Sequence, residues 1–203
     1  MKLNKVVVTS SVLALMLSLS SCAEYAASPL RIPFQEVVQS SQKNEGVSII
    51  SKAFTRQDCN LFLGRDILSE GYQPIQIYIQ NDSDRSYIFS LNRITLPIAR
   101  PEEVAELVHT STVGRIVGYG AGSLVFWPLV VPAIVDGVMS SKANDALDND
   151  FFAKAAKNQI VLQHSQLNAI IFVPIREYQA SYTLTLIDQN SGQPKTFHVA
   201  IDN

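Results

Sequence analysis

The chain has 203 residues, of which 47% are apolar and 17% charged, and a formal charge of −2 at pH 7. That length suits one ordinary domain with a real core, or one domain carrying an insertion. The acidic balance, with no run of Lys or Arg downstream of Lys5, argues against nucleic acid and against electrostatic binding to anionic lipid.

The first residues, "MKLNKVVVTSSVLALMLSLSSC", place Lys2 and Lys5 before an apolar run from Val6 to Leu19 that is too short to span a bilayer comfortably and ends in small residues. This is the layout of a secretory signal peptide. Leu19, Ser20, Ser21 and Cys22 at its end resemble the lipobox of bacterial lipoprotein precursors. The resemblance implies that residues 1–21 are removed, that the Cys22 thiol receives a diacylglycerol, and that the new amino terminus is acylated. Each buried methylene contributes about 0.8 kcal/mol, so two or three chains tether a protein essentially permanently. Residue 23 is Ala and not Asp, which within that family implies sorting to the outer membrane. Removing residues 1–21 leaves 182 of the 203 residues and, with Lys2 and Lys5 gone, takes the charge from −2 to −4. Cys59 is then the remaining thiol, with no CxxC partner, and reads as a small buried apolar residue rather than a partner in an intermolecular disulfide or a nucleophile.

Residues 22–46 read as the lipidated N-terminus and a spacer, rich in Ser, Gln and Pro, reaching roughly 25–30 Å if coil-like. Within it "PLRIPF" puts Leu30, Ile32 and Phe34 on one side of an extended segment that could dock on its own domain or on a neighbour. Residues 47–203 form the domain. "GVSIISKAFT" predicts a strand and "RQDCNLFLGRDILSEG" a short helical turn. "QPIQIYIQN" alternates cleanly, with Ile75, Ile77 and Ile79 toward a core and Gln76, Tyr78 and Gln80 away from it. After the turn residues "NDSD", "RSYIFSLNRITL" predicts a strand with Tyr87, Phe89 and Leu91 on a common face.

A helical insertion follows over residues 101–158. Pro101, Glu102 and Glu103 make a good helix start, because Pro fits the first turn and acids complement the helix dipole. Between Arg115 and Asp136 lie twenty uncharged residues. Gly114, Gly118 and Gly122 recur every four residues there, giving a helical stripe almost without side chain that invites close packing. Pro128 and Pro132 suggest a hairpin rather than a straight span, although twenty helical residues would cover about 30 Å and match a bilayer core. "ANDALDNDFFAKAAKNQ" reads as a surface helix with Leu147, Phe151 and Ala155 inward. Its Asp148, Asn149, Asp150 alternation lacks the glycine and distal glutamate of a calcium loop, so no metal site is expected.

Strands return in "NQIVL", "NAIIFVPI", "SYTLTLID" and "KTFHVAI", the last two joined by the turn "DQNSGQPK" into an antiparallel hairpin. The expected fold is mainly β (α+β): an antiparallel immunoglobulin-like β-sandwich with an inserted apolar helical hairpin and helix. His109, His164 and His198 fall in no metal-ligand spacing, "GYGAGS" lacks the lysine of a P-loop, and Ser123 completes no GxSxG elbow. The expectation is a non-enzymatic, outer-membrane, lipid-anchored binding or assembly component without cofactor or metal. Its partners are membrane lipid through acylated Cys22 and an envelope protein or second copy through residues 112–139. Two rivals stand beside it: a membrane-active protein inserting residues 114–137, and an envelope hydrolase assembled from scattered residues around Asp136.

Overall fold

Period-two alternation decides most of the strands, and the turns between them are set by residues that tolerate left-handed backbone. The computed structural model describes residues 25–32, 42–109 and 130–202. Among these the chain runs β1 (Gln42–Asn44), β2 (Val47–Ala53), α1 (Arg56–Leu63), β3 (Tyr72–Asn81), β4 (Tyr87–Phe89), α2 (Pro101–Leu107), α3 (Val130–Lys154), β5 (Gln159–Val161), β6 (Ser165–Pro174), β7 (Ser181–Asp188) and β8 (Pro194–Asp202). The chain divides into two units, one of residues 1–25 and 109–147, the other of residues 26–108 and 148–203. The second unit holds every strand among the described residues. Of the first, the described part is chiefly the beginning of α3, where Ala143 and Leu147 are buried.

The protein is mainly β, as expected, but the strands form one continuous path, β5-β4-β7-β8-β2-β3-β6, with β1 added beside β2. All pairings between these strands are antiparallel except one. β8 runs parallel to β2 where Ser51 faces Ile201 and Lys52 faces Asp202. The outer edge of β2 is therefore shared, β1 taking residues 47–49 and β8 residues 51–52. From that junction two arms diverge. The first is β1, β2, β3 and β6; the second is β8, β7, β4 and β5. Their facing residues, among them Ile49, Ile75, Ile77, Ile171, Phe89, Leu184, Leu186 and Phe197, merge into one apolar cluster. The sheet thus curls nearly into a barrel instead of splitting into two free sheets.

β4 is shorter than expected. Leu91 does not continue the strand but opens a 3-10 turn, Leu91–Arg93, and packs half-buried against the core. The far face of β3 also departs from the reading, because Gln76 and Tyr78 are buried. The first arm is covered on that side as well. The ring of Phe151 on α3 stacks on Phe172 of β6 at 5.6 Å, and Phe62 of α1 meets Phe54 at 5.5 Å. Lys154 ties these helices together, its Nζ donating to the Phe62 carbonyl and to Asp150 Oδ2, both at 2.6 Å. The burial of Phe151 and Ala155 bears out the inward stripe of this helix.

Residues 26–32 of the expected spacer lie on the same side. Ser28 N donates to the Leu61 carbonyl at 2.8 Å, satisfying one of the acceptors that the end of α1 leaves open. Gln76 Nε2 donates to the Arg31 carbonyl at 2.7 Å and to Asn168 Oδ1 at 2.6 Å. A buried amide needs such partners, which explains how Gln76 sits where water was expected. β1 also falls inside the expected spacer. No helix among the described residues is long and apolar enough to cross a membrane. The lipobox Leu19–Cys22 and the stripe of Gly114, Gly118 and Gly122 lie outside the described residues.

Candidate functional site

Among the described residues the curled sheet does not close by strand pairing. β6 ends one side of the path and β5 the other, and two irregular segments cross between them. The first leaves the second arm, where Thr95 N donates to the Thr183 carbonyl and Ile94 bridges Leu184, and reaches β6 through Ala99 N to the Phe172 carbonyl at 2.8 Å. The second leaves β6, where Ala156 N donates to the Ile170 carbonyl at 2.8 Å, and continues into β5 alongside β4. Asn158 Oδ1 accepts from Leu91 N at 2.8 Å and pins the two crossings together at one end.

Between them a cavity of about 370 Å³ opens into the core seam. Its walls are apolar: Leu91, Ile94, Leu96 and Ile98 from the first crossing, Ala155 and Ala156 from the second, and Ile170 to Phe172 from β6. Arg100 and Asn92 are its polar lining residues, and both are exposed to solvent. Arg100 precedes α2 without capping it through its side chain. Small residues at 155 and 156 make the space, because an alanine leaves empty what a leucine would fill. In the sequence, Ile94, Leu96 and Ile98 alternate at every second position, with Pro97 inside the run and Arg100 and Pro101 after it, a pattern sequence reasoning passed over as the tail of a strand.

A second, more polar cavity of about 230 Å³ lies at the opposite end of the sheet, among Glu45, Arg85, Tyr87, Asp188 and Lys195. Its charges are spent on each other. Lys195 Nζ donates to Glu45 Oε2 at 3.2 Å and to the Tyr87 hydroxyl at 3.4 Å, and Arg85 reaches Asp188 Oδ2 at 3.2 Å. Asp188 Oδ1 also accepts from Asn190 N and Ser191 N at 2.9 Å each, closing the β7–β8 turn. The backbone bonds from Ser191 and Asn190, together with Arg85, hold its carboxyl below the ordinary range despite the opposing effect of burial. These contacts organise a turn.

The remaining candidates are dispersed. Cys59 is fully buried on α1, and burial pushes its thiol up to about 11, which removes the thiolate a nucleophile needs. His164 Nε2 meets Asp84 Oδ1 at 3.1 Å in an exposed turn, and His198 Nδ1 meets Thr183 Oγ1 at 3.3 Å on the outward face of β8. Among the described residues no group of three His, Cys, Asp or Glu could hold a metal ion. Asp136 lies where side chains are outside the description. No protein-family model matches the sequence, and no curated protein or solved structure matches it either.

Proposed function

We propose that the chain is a lipid-anchored, non-enzymatic binding component of the cell envelope, placed at the outer membrane by acylation of Cys22, and that its ligand is a single apolar chain with an anionic head group. One observation carries the ligand class: the seam cavity is walled by aliphatic and aromatic side chains and carries a solvent-exposed guanidinium, that of Arg100. Its volume lies at the low end of small-molecule sites, which favours one acyl chain over a bulky ring system. Eight methylenes buried at about 0.8 kcal/mol each contribute roughly 6 kcal/mol, equivalent to an affinity in the tens of micromolar. We propose an immunoglobulin-like likeness for this scaffold in architecture alone, on the ground that two mostly antiparallel arms face each other across a shared core.

The test is titration of the detergent-purified full chain with a fluorescent long-chain carboxylic acid. Saturable binding, displaced by an unlabelled long-chain acid and not by a short one, is expected, as is its loss in Ala156→Trp, which fills the cavity. Absence of saturable binding, or equal binding by Ala156→Trp, overturns the ligand assignment. Release of the Cys22→Ser chain from membranes tests the anchor separately.

A further inference from the structure

The contacts of residues 26–32 carry a consequence for how the domain stands on its membrane, resting on the acylation of Cys22 proposed above. The spacer is not free along its length. Ser28 N is bonded to the Leu61 carbonyl at 2.8 Å, and Arg31 is held through its carbonyl by Gln76 and Asn168 at 2.7 and 3.4 Å. Ser28 lies six positions after Cys22, and six residue steps span at most about 20 Å when fully extended. A chain that short cannot swing the domain freely. The point at which the lipid-bearing end joins the domain is the last turn of α1.

The strand registers locate that point along the domain. β2 runs from Val47, opposite Asn81, to Ala53, opposite Ile75, and α1 follows directly. The other end of the same strand carries the turns at 45–46, 82–86 and 189–192, joined by Lys195 to Glu45 and Arg85 to Asp188. Seven residues of strand at about 3.3 Å each set these ends roughly 20 Å apart. The exposed large apolar side chains at the α1 end include Leu61, beside the docked Ser28, and Ile175, whose N–H donates to the Gly71 carbonyl just before β3; Leu162 is exposed at the other end, so the docked segment, and not apolar exposure, sets the direction.

We infer that the docked segment 26–32 fixes the domain on the bilayer with its α1 end toward the lipid, Leu61 and Ile175 meeting the head-group region, and with the charged turn end directed away from the membrane.

The experiment uses the full acylated chain in vesicles of phosphatidylethanolamine and phosphatidylglycerol, with a fluorophore on Leu61→Cys or on Asn190→Cys and a nitroxide-labelled lipid as quencher. Stronger quenching at position 61 than at 190 is expected. A Gly-Ser insertion of about ten residues between Tyr25 and Ala26 adds roughly 17 Å of coil reach and is expected to abolish that preference while leaving the fold intact. Equal quenching at the two positions on a chain that mass spectrometry shows to be acylated, or a preference that survives the insertion, overturns the orientation alone. A bare Cys22 thiol overturns the anchor and the orientation with it.

Discussion

The hydroxyls of Ser51 and Tyr182 lie 2.6 Å apart in the middle of the apolar cluster, joining β2 in one arm to β7 in the other. Both residues are buried, so this is a polar contact with no water to replace it. Tyr182→Phe strands the Ser51 hydroxyl and is expected to cost about 1–3 kcal/mol, read as a lower urea midpoint at unchanged slope. Adding Ser51→Ala should recover part of that loss, since removing both partners leaves nothing unpaired. Burial holds the Tyr182 phenol well above its ordinary value, against the smaller opposing effect of the Ser51 bond. A raised folded-state value means the stability is complete below the unfolded value of about 10 and falls as pH rises above it. The wild-type melting temperature should therefore decline above about pH 10 more steeply than that of Tyr182→Phe.

Asp58 gives the opposite pH limb. Burial alone would raise its carboxyl, but Thr55, through its N–H and hydroxyl, and Lys52 outweigh burial and hold it below the ordinary value. Asp58 N in turn donates to Thr55 Oγ1 at 3.1 Å, so the pair forms a reciprocal cap at the start of α1. Asp58→Ala should cost about 1 kcal/mol at neutral pH. A depressed value contributes stability above the unfolded value near 3.9 that is lost as pH falls through the folded one. Urea midpoints measured from pH 6 to pH 2 should converge for the wild type and the variant at the acid end.

Much of the fold was legible because it rests on period-two alternation. Ile75, Ile77 and Ile79, or Tyr182, Leu184 and Leu186, declare both the strand and the face it buries. What was not legible depends on contacts distant in sequence. Nothing near Gln76 says that Arg31 will supply a carbonyl to its amide, so that face of β3 reads as solvent-exposed. The parallel register of Ser51 with Ile201 is set by the curl of the whole sheet. The candidate cavity is harder still, since its walls come from residues 91–101, 155–156 and 170–172, and an empty volume leaves no mark on a periodic pattern. Its local trace was the alternation of Ile94, Leu96 and Ile98 around Pro97, followed by Arg100 and Pro101.

Two glycines with left-handed backbone should respond differently to the same substitution. Gly46 has φ +81, and a Cβ there would come within 3.1 Å of the Ser83 Cβ and 3.2 Å of its backbone nitrogen. Gly192 has φ +69 and open space around it. Gly192→Ala should cost the left-handed penalty alone, about 1–2 kcal/mol. Gly46→Ala adds the displacement of the 82–86 turn and should be clearly the more destabilising of the two. Thermal melts of both variants under one condition decide it, and equal losses would contradict the packing argument.

Cys59 offers a probe of opening. With its thiol at about 11 and no exposure, roughly one molecule in a thousand carries the thiolate at pH 8, even before access is counted. In the Cys22→Ser chain a disulfide-forming reagent should react stoichiometrically in denaturant but, under native conditions, only at the rate at which α1 opens. Rapid native reaction would show that α1 does not keep Cys59 buried.

Arg100 separates the charged from the apolar part of ligand recognition. It is exposed and precedes α2 without a side-chain cap, so Arg100→Gln should leave the melting temperature nearly unchanged. An exposed ion pair contributes at most about 1 kcal/mol, hence up to about a fivefold loss of affinity for a long-chain carboxylate. That loss should shrink as salt rises, because the contact is screened. A long-chain alcohol, carrying the same methylenes and no charge, should bind wild type and Arg100→Gln equally well. Fluorescence displacement with the acid and the alcohol at two salt concentrations measures this. If the alcohol is weakened as much as the acid, Arg100 shapes the apolar wall and does not pair with the head group.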